Sequence, residues 1–141
     1  MALRKTFAGT VIATALLTAA YGSANAQDAV ADAVAGADAA AGQATSFQCI
    51  GCHSFGEGEA ARVGPNLFGI VDRTIGAAEG FNYSEALAAL NADGATWTLD
   101  TLNAFLANPQ DVAPGTTMPF ALRNDADRYN VLAYLLTLSA E

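Results

Sequence analysis

The sequence predicts a small all-α domain of several short helices joined by long loops, on three observations. No stretch alternates apolar and polar residues as a half-buried strand does. Four segments instead open on a residue suited to capping a helix, and the longer two continue with apolar side chains at three- and four-residue spacing. Between the first and second of these, Ser54 to Gly80 is broken by six glycines and Pro65. A structureless connection of that length is uncommon in a compact domain. It becomes reasonable when it wraps a bound group that supplies the missing core.

The chain of 141 residues suits one domain. Its start reads as an export signal: Arg4 and Lys5, then an apolar run from Phe7 to Tyr21, then Ala24-Asn25-Ala26. The uncharged run is about fifteen residues, short of the roughly 20 that a spanning helix needs. Residues 1–26 are therefore expected to be removed, with cleavage after Ala26 and delivery to the periplasm; a permanent anchor is the alternative. Beyond Ala26 there is no lysine, and four arginines face 14 carboxylates, a formal balance of −10. That excess argues against nucleic acid or an anionic membrane as partner.

Residues 27–37, rich in Ala, Asp and Val, are expected to form a flexible leader, and 38–141 the folded domain. Asp38 caps a first helix that runs through Gly42 into Cys49. A glycine inside a helix costs about 1 kcal/mol relative to alanine, so Gly42 points to close approach by another element. Ser84 caps a short helix from Glu85 to about Leu90. Thr98 caps the next, with Leu99, Leu102, Phe105 and Leu106 on one face and Asn108-Pro109 as its stop. Asn124 caps the last helix, where Asp125 and Asp127 complement the N-terminal dipole. Val131, Leu132, Leu135, Leu136 and Ser139 form its apolar stripe.

The chemistry concentrates in Cys49-Ile50-Gly51-Cys52-His53, which reads as a c-type haem attachment site. Two thiols one helical turn apart reach the same edge of a flat macrocycle, and the next imidazole reaches its iron. A local disulfide, a redox CxxC or half of a zinc site are the alternatives. Beyond Ala26 the chain has one histidine, His53, and one methionine, Met118. Zinc therefore lacks a fourth Cys or His, and the βαβ pattern of a thioredoxin-type site is absent. Met118 sits in the turn-rich Pro114-Gly115-Thr116-Thr117-Met118-Pro119-Phe120, an odd place for core filler. A His/Met pair on iron raises the reduction potential.

In order and separation these motifs resemble the class I c-type cytochromes of the mitochondrial cytochrome c kind, in their bacterial periplasmic form, across residues 38–138. The likeness rests on Cys49 to His53, Gly64-Pro65-Asn66-Leu67 with Gly69 and Arg73, and Gly80-Phe81-Asn82-Tyr83. It continues through Trp97, Asn108-Pro109, the Pro114 to Phe120 loop and Ala133-Tyr134-Leu135.

The resemblance implies the small cytochrome c fold around one covalently bound haem c, attached at Cys49 and Cys52. His53 and Met118 would be the iron ligands, and the Pro65 carbonyl would accept the second ring N–H of His53. Arg73, Tyr83 and Trp97 match positions that hold a haem propionate, and Thr116 one where a hydroxyl assists. Gly42 and Tyr134 match the crossing of the first and last helices, and Leu67, Leu102, Leu106, Phe120, Leu132 and Leu135 would line the pocket. Three positions depart from the pattern. Phe105 replaces a common tyrosine that bonds the methionine sulfur, Phe47 is displaced, and the ring of surface lysines is missing. The implied function is one-electron transfer, not enzymatic turnover, by a soluble monomer without stable membrane insertion. It would shuttle between a membrane cytochrome bc complex and a terminal oxidase, a reaction centre or a periplasmic dehydrogenase. Rival readings are a haem sensor or peroxidase in which Met118 dissociates, and a thiol oxidoreductase or disulfide-stapled domain without haem.

Overall fold

The computed structural model describes residues 26–139, so residues 1–25 of the expected signal segment lie outside it. Six helices appear among the described residues: α1 Ala26–Ala35, α2 Ala39–Thr45, α3 Glu85–Ala92, α4 Leu99–Ala107, α5 Pro109–Val112 and α6 Asp125–Leu136. No strand forms there; one isolated bridge joins Thr74 to Thr96.

The segment expected to be a flexible leader is largely α1, which corrects that reading. Val30 and Val34 lie one turn apart, and Val34 is only 2% exposed in the core that α1 shares with α4 and α6. Alanine-rich sequence has high helix propensity but little nucleating power of its own. Docking of the valines fixes the helix, and that docking is invisible in local sequence.

Asp38 caps α2 as expected, accepting the N–H groups of Ala40 and Ala41 at 2.8 and 3.0 Å. Its own N–H donates to the Asn130 side chain at 2.9 Å, tying the cap to α6. The helix does not run unbroken into Cys49. At Ser46 it tightens into a 3₁₀ turn, Ser46–Gln48, where the buried Ser46 hydroxyl donates to the Gly42 carbonyl at 2.8 Å. Helices α2 and α6 cross at Gly42, where a Cβ would stand 1.8 Å from the Asn130 carbonyl oxygen. The crossing partner is thus Asn130 backbone. Tyr134, one turn on, packs its ring on Phe55 with centroids 6.0 Å apart.

Side chains take over where Ser54 to Gly80 lacks regular structure. Asn66 donates to the carbonyls of Gly56 and Glu59, both at 2.8 Å, and accepts the N–H of Phe68. Ser54, fully buried, donates to Ala60 at 2.8 Å. The bridge beside Ile75 then carries the chain under Trp97, whose N–H donates to the Arg73 carbonyl at 2.9 Å.

Ser84, Thr98 and Asn124 cap α3, α4 and α6 as their residue types lead one to expect. Helix α3 runs on to Ala92, and α4 buries Leu102, Phe105 and Leu106. Past the stop at Asn108, Pro109 opens the unanticipated single turn α5, its missing N–H harmless at the first helical position. The expected stripe on α6 holds for Val131, Leu132 and Leu135, whereas Leu136 and Ser139 face solvent.

Candidate functional site

One cavity of about 340 Å³ lies between the attachment motif and the Met118 loop. All nine side chains singled out as site residues line it: Cys49, Cys52, His53, Pro65, Arg73, Tyr83, Trp97, Thr116 and Met118. Of the expected apolar lining, Leu67, Leu102, Leu106, Phe120 and Leu135 are there. Leu132 is not: it is completely buried on the other side of α6, and Val131 takes its place. The two differ by about 100° around the helix, which an apolar stripe alone does not resolve. Phe105 also faces the cavity, edge-on to Trp97 with centroids 4.9 Å apart.

The attachment motif is positioned by the 3₁₀ turn. Cys49 N–H donates to Ser46 at 2.8 Å, and the N–H groups of Cys52 and His53 return to the Cys49 carbonyl at 3.0 and 2.9 Å. Both thiols are free. Burial, and then the neighbouring Cys52, push the Cys49 thiol pKa up. A redox-active CxxC needs the opposite shift.

His53 Nδ1 lies 2.7 Å from the Pro65 carbonyl. A carbonyl only accepts, so Nδ1 carries the hydrogen and Nε2 keeps its lone pair. Burial, only partly opposed by that bond, lowers the His53 pKa and favours the neutral, ligating form. A Cβ at Gly64 would fall 2.4 Å from Cε1 and 2.8 Å from Nδ1, so only glycine leaves room for the imidazole.

The polar wall is incomplete without a further acceptor. Arg73 donates to the carbonyls of Phe68 at 3.1 Å and Asn66 at 2.9 Å, but among the described residues its buried Nε has no partner. Thr116 Oγ1 is likewise buried and unpaired. Such orphans each cost roughly 1–3 kcal/mol, and a carboxylate of a bound group satisfies donors of this kind. Burial lowers the Arg73 pKa, and it raises that of Tyr83, whose hydroxyl accepts the Ala78 N–H at 3.2 Å. That hydroxyl keeps its own proton to donate.

These residues fit a porphyrin. An apolar slot with thiols and an imidazole on one wall, a thioether among its lining and orphaned donors beside it defines a haem c protein. The family model described as Cytochrome c matches residues 39–139. A cytochrome c homolog of Bradyrhizobium diazoefficiens is 47% identical over 100 residues, 70% of this chain and 53% of that protein's length. Cytochrome c-550 of Ancylobacter novellus is 43% identical over 103 residues, 72% of this chain and 96% of that one. The solved structure of cytochrome c2 from Rhodospirillum centenum superposes with a TM-score of 0.68 at 34% identity, covering 73% of this chain and 99% of the other. The chain belongs to the cytochrome c family. It is an electron carrier bearing one covalently attached haem c, not an enzyme. Helix α1 precedes the region the family model matches.

Proposed function

We propose that this chain is exported to the periplasm and carries single electrons between membrane complexes through a His/Met-ligated haem. Haem c supplies the one-electron couple of its iron. Cys49 and Cys52 would hold it through thioethers, and Nε2 of His53 and the sulfur of Met118 would ligate its iron. The Pro65 carbonyl keeps the His53 ring in one tautomer and raises its basicity. Arg73, Tyr83, Trp97 and Thr116 would hold a propionate, and among the described residues Arg73 Nε and Thr116 Oγ1 have no other partner. The leucines, Val131 and Phe105 exclude water, which favours a high potential and small reorganisation.

The observation that carries the reading is the hydrogen-bonded His53 in the same cavity as Met118. With both side chains bound, the iron would keep no open position for substrate, which separates a carrier from a peroxidase or gas sensor. Its partners are a membrane cytochrome bc complex and a terminal oxidase, a reaction centre or a periplasmic dehydrogenase. No helix among the described residues is long and apolar enough to cross a membrane.

Stopped-flow mixing of oxidised protein with quinol-reduced bc complex tests this. Rapid reduction, followed by reoxidation on adding oxidase, is the expected result. Reduction no faster than with quinol alone would overturn the shuttle.

A further inference from the structure

Gln110, in α5, turns its side chain back across the loop that carries Met118. Its Oε1 accepts the Gly115 N–H at 2.9 Å and its Nε2 donates to the Thr116 carbonyl at 3.0 Å. With an N–H as one partner and a carbonyl as the other, the amide fits in one orientation only. Its base is firm: Pro109 and Ala113 are buried, and Asn108 caps the turn through the Gln110 N–H.

The loop beyond it is sparsely held. Thr116 N–H donates to Ala113 at 2.9 Å, and the next backbone bond downstream is Leu122 to Leu106 at 2.7 Å. Among the described residues, Thr117 to Ala121 makes no protein hydrogen bond, and Met118 lies in that gap. Gly115 adopts φ +91°, so the turn bends just where the amide grips it.

We infer that Gln110 is a positioning residue whose amide straps the loop to α5 and sets how readily Met118 leaves the iron. The inference rests on the reading of Met118 as distal ligand. Gln110→Met keeps length and removes the amide; Gln110→Glu keeps the acceptor for Gly115 and loses the donor to Thr116.

The haem-loaded proteins are compared by the red sulfur-to-iron band of the ferric state, by the rate of its loss in saturating imidazole, and by thermal unfolding. Loss of one or two net hydrogen bonds predicts about tenfold faster imidazole entry in Gln110→Met. Gln110→Glu falls between it and wild type, and the unfolding midpoint moves little. Equal rates in wild type and Gln110→Met would overturn the inference, as would a lowered midpoint with an unchanged rate. If Gln110→Met does not fold, Gln110→Glu carries the same comparison. A wild-type spectrum without the red band defeats the Met118 reading first, and the strap with it.

Discussion

Gly64 and His53 touch so closely that the glycine hydrogen is the largest substituent the imidazole allows: a Cβ would sit 2.4 Å from Cε1 and 2.8 Å from Nδ1. The same Nδ1 is tied to the Pro65 carbonyl at 2.7 Å. Gly64→Ala must therefore push the ring off that bond. Overpacking costs about 1–3 kcal/mol, so the haem-loaded variant should unfold at clearly lower denaturant and show a shifted potential. A variant matching wild type in both would mean that the ring has room to move.

Helix α1 is held by Val34. Truncation of a buried aliphatic side chain costs roughly 2 kcal/mol, so Val34→Ala should lower the denaturation midpoint with little change in the visible spectrum. An unchanged midpoint would show that α1 contributes nothing to stability.

Tyr83 makes a pH prediction. Burial raises its pKa above the ordinary 10.0, so the native state holds this proton more tightly than the unfolded chain does. The resulting stability is complete below pH 10 and is lost as pH rises through the native value. In an ultraviolet titration one tyrosine should ionise late, and Tyr83→Phe should remove that last step. Loss of an early step instead would contradict the assignment.

Salt response follows from where the arginines are used. Arg128 is 6% exposed and bonded to Asn103, Asp125 and the carbonyls of Leu122 and Arg123. Arg73 faces inward, which leaves Arg62 and Arg123 exposed on an acidic surface. Electron transfer to an oxidase with an acidic docking face should be slow at low ionic strength and no slower as salt screens the repulsion. A fast rate that falls steeply with salt would be the contrary result.

What was legible in the sequence was local chemistry. Asp38, Ser84, Thr98 and Asn124 cap their helices because a short polar side chain bonds N–H groups two or three residues away. Gly42 announced a helix contact, although its partner proved to be Asn130 backbone, with Tyr134 a turn away. The site residues came from motif order, and all of them meet in one cavity. What stayed hidden depends on tertiary placement. Val34 looks like part of a loose leader until α4 and α6 bury it, and which of Val131 and Leu132 lines the cavity depends on how α6 is turned against it. Gln110 has no sequence signature, because a side chain gripping a loop five residues on follows no period.

The central claim is that His53 and Met118 both hold the iron. It is tested most directly by visible absorption spectra of protein matured with haem, first oxidised and then reduced. Sharp low-spin bands on reduction, with the weak red sulfur-to-iron band in the oxidised state, are the predicted result. A high-spin spectrum without that band would contradict it and return the chain to the peroxidase or gas-sensing class.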